Sequence, residues 1–367
     1  MSGAPELVLS GWSAASPFGL GARAFTAGLA AGAPAPRAAV AGPCRKARLI
    51  PDFDARSALG PKGTRSMDRV TAMAVTTAGL VLDDTGSRPV SRPEQIGLVL
   101  GTGSGSVQSI VDFTASSMTG DKPYHVDPAR FPNTVMNRAA GQSAIWHGLK
   151  GPNATVSGGA PTGLLVLNYA ARLLRNGRCE RIVCGAAEEY SEQRGWLEWH
   201  AAGRPEEQDV SEGCALFLLE TLDGAANAGR TPLADLLGNG FAVSPDRASV
   251  ADTLAGCLRS TLARAGVRPA DVGVVAGSAE PAEQIALTTV LDNQRRIRLE
   301  VRGLLGDTAA AAAAFQLAGV LAHARLDSGT AGRVAVVTSV DRRGGVGCTV
   351  LRIRSAGPDT TKEENDE

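Results

Sequence analysis

Hydrophobic and polar positions along this chain fall into two alternating kinds of segment. Short runs dense in aliphatic residues occur at ELVLSGW (6–12), IGLVLG (96–101), RIVCGAA (181–187), CALFLLE (214–220), VGVVAG (272–277), RVAVVTSV (333–340) and CTVLRI (348–353). Such runs read as strands, and their near-continuous apolar character suits a sheet covered on both faces. Between them lie longer segments with apolar residues at helical spacing, near 67–83, 162–176, 247–265, 282–292 and 308–326. Strands alternating with helices over residues 6–354 predict an α/β protein.

Two helical segments are expected to be internal. TGLLVLNYAARLLRN follows Pro161, a residue tolerated at a helix start, and carries Leu164, Leu165, Leu167, Tyr169, Leu173 and Leu174 around most of its circumference. A helix of that kind buries nearly all its sides. TAAAAAAFQLAGVLAHARL is rich in alanine, which favours helix and lets neighbouring backbones approach. The stretch 119–134, TGDKPYHVDPARFPNT, has three prolines and predicts a long ordered excursion or a lid. Residues 356–367, AGPDTTKEENDE, are polar throughout and are expected to be a disordered tail. The runs before about residue 225 roughly recur after it, as a duplicated two-half architecture would require.

Composition adds exclusions. Lys plus Arg number 37 and Asp plus Glu 37 among 367 residues, with 44% apolar residues. A net charge of zero gives no footprint for nucleic acid or an anionic membrane. The start, MSGAPELVLSGW, has no basic segment or long apolar stretch, and no window is read as reaching the roughly 18 apolar residues of a membrane span. A cytoplasmic location is therefore expected. Six cysteines, Cys44, Cys179, Cys184, Cys214, Cys257 and Cys348, form no CxxC pair and predict inert thiols, not a metal site or a disulfide framework. The histidines at 125, 147, 200 and 323 stand singly. GTGSGS (101–106) lacks the final glycine of a dinucleotide fingerprint and reads as a tight turn after a strand. Asp83 with Asp84, and Glu188 with Glu189, read as solvated positions or caps. No cofactor and no metal is expected.

Several segments in order resemble the β-ketoacyl synthase family and its polyketide chain-length-factor relatives: VLSGWSAASPFGLG, SMDRVTAMAVTTAGLVLDDTG, IGLVLGTGSG, the block from Phe131 to Glu189, EGCALFLLE, GLLGDTAAAAAAFQLAGVL and VAVVTSVDRRGGVGCTVL. The resemblance implies a thiolase-like α/β fold, two similar halves in a five-layer αβαβα arrangement. It divides the chain into an N-terminal half (1–225), a C-terminal half (226–355) and the tail. It also implies dimerisation through the strand around Thr155 to Ser157, and condensation of acyl chains held on acyl carrier protein.

The catalytic groups of that family are missing. Its cysteine, whose thiolate a helix N-terminus stabilises, is matched by Ala160, which has no lone pair to attack an acyl group. Its H-G-T-G-T histidine falls at Ser278 or a neighbour in VVAGSAEPAEQ. In RGLLGD, Arg302 and Asp307 stand for the lysine and histidine of K-x-x-x-G-H. Those imidazoles stabilise an enolate, which an ionised Asp307 would repel. RRGGVGC (342–348) also lacks the family's gating Phe and Asn.

The resemblance therefore implies a non-condensing, chain-length-factor-like subunit that pairs with an active ketosynthase as a heterodimer, meets acyl carrier protein and shapes the acyl tunnel. Phe113, Thr114, Ser117, Arg130, Met136 and Asn137 are its candidate tunnel or interface residues. Two alternatives stay open: a homodimeric scaffold that binds acyl carrier protein, and an acyltransferase or hydrolase using Ser157, Thr162 or Cys184.

Overall fold

The computed structural model describes residues 5–88, 90–206, 208–292 and 296–354; the expected 356–367 tail lies outside the described residues. Ten strands carry the fold: β1 (Leu7–Ser16), β2 (Ile96–Gly101), β3 (Asn153–Val156), β4 (Arg181–Glu188), β5 (Gly213–Thr221), β6 (Ala234–Val243), β7 (Val272–Ala276), β8 (Ile297–Leu299), β9 (Val334–Val340) and β10 (Gly345–Ile353). The helices that matter below are α1 (Gly21–Ala31), α2 (Arg69–Asp84), α3 (Val107–Thr119), α4 (Arg138–His147), α5 (Thr162–Arg175), α6 (Glu192–Ala201), α7 (Val250–Arg264), α8 (Pro281–Leu291) and α9 (Ala312–Leu326).

The sheet is one pattern used twice. In the first half the order is β3-β2-β4-β5-β1, with β2 parallel to β3 and β4, β4 antiparallel to β5, and β5 antiparallel to β1. In the second half β8-β7-β9-β10-β6 repeats those directions strand for strand. The halves meet where Val8 and Leu9 of β1 pair with Asp235 and Ala234 of β6.

Strand alternation sets the layers, because successive side chains leave a strand on opposite faces. Ile182, Cys184, Ala215, Phe217, Ala335 and Val337 point into a central core with α5 and α9. Their neighbours Val183, Leu216 and Leu218 face α2 and α4, while Val334, Val336 and Val350 face α7 and α8. Five layers result, helix–sheet–helix–sheet–helix.

The two central helices differ. Helix α9 is buried continuously from Ala313 to Ala322. With the turn before it, Ala309–Leu326 is apolar and long enough to match a membrane span by composition, contrary to the sequence reading; its burial between the sheets makes it a core helix. Helix α5 buries Leu164, Val166, Leu167, Ala170, Ala171 and Leu174 but leaves Tyr169 and Arg172 exposed, so one side reaches the surface, unlike the all-round burial expected. A methyl at Gly163 would stand 2.5 Å from the Ala314 nitrogen, so the two helix starts touch backbone to side chain. Phe315 stacks on Phe25 of α1, with centroids 5.9 Å apart.

Since interiors are close-packed and overpacking costs roughly 1–3 kcal/mol, Gly163→Ala is expected to lower stability by about that amount in urea unfolding followed by circular dichroism.

Candidate functional site

The chain leaves β3 at Val156 and makes a tight turn before α5. Ser157 Oγ donates to the Gly103 carbonyl at 3.1 Å. Thr162 fixes the turn from both sides: its Oγ1 donates to the Gly159 carbonyl at 2.6 Å and accepts from the Gly158 N–H at 3.0 Å. Gly159 takes φ +68°, a conformation glycine adopts without steric cost. Ala160 follows, half-buried, two residues before the first helical residue of α5. Its N–H donates to Asp341 Oδ2 at 3.0 Å, and the same carboxylate covers Gly159 so closely that no side chain could stand there. Asp341 belongs to the 341–344 turn between β9 and β10, where its Oδ1 accepts the Arg343 N–H at 2.8 Å.

Ser278 lies just past β7. It is buried, and its Oγ donates to Glu283 Oε2 at 2.9 Å. Glu283 sits in the first turn of α8, and burial pushes its carboxyl up to about 7 against the hydrogen bond from Ser278. Asp307 is tied down three ways: Oδ2 accepts from Arg302 Nη2 at 2.9 Å, Oδ1 accepts the Ala309 N–H at 2.8 Å, and its backbone N–H donates to the Asp209 carbonyl at 2.6 Å. Arg302 also donates to Glu280 Oε1 at 2.7 Å.

A cleft of about 270 Å³ is lined by Arg194, Glu198, Asp209, Arg302, Asp307 and Arg342 among others. Asp307 lines it directly. Ala160 and Ser278 do not line it; Ala160 is linked to the cleft residue Arg342 through the neighbouring Asp341, and Ser278 is bonded to Glu283. No histidine lines the cleft. His147 lies under α2, where burial pulls its imidazole down to about 4 and Nε2 meets the Val75 carbonyl. The other nucleophile candidates are engaged elsewhere: Ser157 and Thr162 bond backbone carbonyls, and burial pushes the Cys184 thiol up to about 12.

The tunnel or interface candidates occupy α3 and the loop after it. Phe113 meets Phe131 edge-on, with centroids 5.9 Å apart. Thr114 Oγ1 donates to the Ile110 carbonyl and Ser117 Oγ to the Pro123 carbonyl, each at 2.8 Å. Arg130 is exposed, 3.8 Å from Asp127, and Met136 and Asn137 are exposed ahead of α4. The structure thus brings Phe113 and Ser117 against the loop and leaves Thr114, Arg130, Met136 and Asn137 at the surface. Around them stand apolar side chains that the sequence reading did not name: Met118 (81% exposed), Tyr124, Phe131 (56%) and Ile145 (75%). The adjoining strand β3 ends the sheet, with β2 as its partner.

Glu188 and Glu189, read as solvated positions or caps, are buried and act as caps. Glu188 accepts from Thr102 Oγ1 and the Gly103 N–H; Glu189 accepts from the Val70 N–H and Ser106 Oγ. They cap the 102–106 turn and the start of α2, which a sequence shows only as two acids after a strand. Asp341 gave no signal, since its partner lies 181 residues away.

Comparison with known proteins gives the following. The family model described as "Beta-ketoacyl synthase, N-terminal domain" matches residues 11–225. A solved structure titled "The ishigamide ketosynthase/chain length factor" is similar at 41% identity and TM-score 0.88, covering 95% of this chain and 100% of that one. The 3-oxoacyl-(acyl-carrier-protein) synthase 2 of Vibrio harveyi is 27% identical over 66% of this chain, which spans 64% of that enzyme's length. The tetracenomycin polyketide synthase ketoacyl synthase alpha subunit of Streptomyces glaucescens is 28% identical over 69% of this chain and 68% of its own length.

Glu283 binds its proton more tightly folded, at about 7, than a free glutamate does. It therefore adds stability that is full below about pH 4.5 and is lost as pH rises through about 7. Glu283→Gln is expected to flatten that decline by up to about 1.4 kcal/mol per pH unit between those limits, read from urea midpoints across the range.

Proposed function

Because this chain belongs to the β-ketoacyl synthase family, we propose that it is a non-condensing, chain-length-factor-like subunit that pairs with an active ketosynthase in type II polyketide or related acyl-chain synthesis. The observation that supports this reading is Ala160 just ahead of α5, where the resemblance aligns the family's cysteine. A condensing synthase must hold an acyl thioester there, and a methyl group forms none. Asp307 and Ser278, at the two histidine positions, support the same reading. Arg302 holds Asp307 in an ion pair, and Ser278 is spent on Glu283. Neither supplies the imidazole that stabilises the enolate in a condensing member.

An inactive subunit still needs a surface for its partner. The unpaired edge of β3, flanked by the exposed apolar side chains of α3 and the 120–137 loop, supports an interface there, since large exposed apolar patches mark protein contacts. Phe113, Thr114, Ser117, Arg130, Met136 and Asn137 would then face the partner or the tunnel between the two chains. Acyl carrier protein is the second proposed partner, by analogy with the Vibrio harveyi synthase that carries it in its name. The complex would work in the cytoplasm.

Co-expression with a ketosynthase from the same pathway is expected to yield a one-to-one complex whose condensation activity falls at least tenfold when this chain is omitted. A chain that purifies as a homodimer and leaves the ketosynthase rate unchanged would overturn the proposal in favour of a carrier-protein scaffold. Met136→Asp, which sets a charge into the proposed interface, is expected to weaken co-purification while leaving the thermal unfolding of the isolated chain unchanged.

A further inference from the structure

The missing thiol is one of two barriers at the head of α5, and the second is a residue of this chain. Helix α5 starts at Thr162 with Pro161 as its cap, so the Ala160 N–H belongs to the turn ahead of the helix, and a backbone N–H there can hold a negative charge by a charge-assisted hydrogen bond. At Ala160 that N–H is taken by Asp341 Oδ2 at 3.0 Å. Gly159, at φ +68°, leaves the space beside it into which the carboxylate packs. The carboxylate is locked in place: its other oxygen accepts the Arg343 N–H, the Asp341 carbonyl accepts the Gly344 N–H at 2.9 Å, and the Asp341 N–H donates to the Gly345 carbonyl at 2.7 Å. Arg342, next in the turn, is drawn aside to Glu198 at 2.9 Å, so it does not neutralise Asp341.

We infer that Asp341, a carboxylate fixed beside residue 160 that holds the Ala160 N–H, closes this turn to acyl chemistry independently of the residue at 160. The inference rests on reading Ala160 as the vacated nucleophile position. A sulfur placed on residue 160 would stand beside a fixed carboxylate, and a neighbouring like charge disfavours the thiolate. Restoring the cysteine alone therefore does not restore a reactive thiol.

The chain is well suited to the test, since all six native cysteines are buried and leave an engineered Cys at 160 as the accessible thiol. The full chain would be prepared as Ala160→Cys, alone and combined with Asp341→Asn, and alkylated with iodoacetamide under native conditions at neutral pH. Labelling at residue 160 would be followed by peptide mass spectrometry. The single variant is expected to react no faster than a free cysteine, and the double variant at least about tenfold faster, as one pKa unit of thiolate stabilisation requires. Asp341→Ser, whose hydroxyl can still accept the Arg343 N–H, serves as a second partner should the Asn variant fail to fold, and thermal unfolding establishes which variants are folded. Equal rates in the single and double variants, or a fast thiol in Ala160→Cys alone, would overturn the inference. The labelling needs no ketosynthase, so a failure to pair leaves it standing, and equal rates leave pairing untouched.

Discussion

The close approach of α5 to α9 between the two sheet halves is the constraint on which the rest depends. Gly163 meets the Ala314 backbone with no room for a side chain, and Phe315, one residue on, stacks into the aromatic group with Phe25 and Trp12. Interiors this dense transmit any displacement to their neighbours. The start of α5 is therefore fixed to the second half, and with it the 157–161 turn, Ala160 and the contact to Asp341. Both halves of the duplicated sheet are needed to hold that point, because α5 belongs to the first and Asp341 to the second.

Charged groups near the cleft, most of them part-exposed, are tied by short, paired contacts. Arg302 links Glu280 to Asp307, and Asp209 accepts from both Arg37 and Arg48. Glu212, buried, receives Arg69 and the Ile50 and Tyr190 N–H groups. On the proposed reading, the three positions that carry chemistry in a condensing synthase have become structural here. Ala160 gives its N–H to a carboxylate, Ser278 its hydroxyl to another, and Asp307 its charge to an arginine.

Much of the fold was legible because the strands are buried on both faces. β2, β4, β5, β9 and β10 read as unbroken apolar runs, and α2, α5 and α9 as apolar helices. β6 was not legible: ADLLGNGFAV contains Gly238 and Gly240, which weaken a strand signal, yet Gly240 is required where Thr261 and the thiols of Cys257 and Cys348 crowd the backbone. α3, VQSIVDFTASSMT, was hidden by its β-branched and small polar residues, although Ser106 caps its start by accepting the Ser109 N–H. At the site, Ala160, Ser278 and Asp307 could be picked out only through the family resemblance, since alanine, serine and aspartate carry no signature of a lost function. Asp341 and the buried Glu188–Glu189 pair emerge only once distant segments are folded together.

The measurement that tests the central claim most directly is intact-protein mass spectrometry of the reconstituted pair after incubation with an acyl chain loaded on acyl carrier protein. The account predicts that the acyl mass is found on the ketosynthase subunit and that this chain keeps its unmodified mass. An acyl adduct on this chain, formed at a rate that matches turnover, would contradict it.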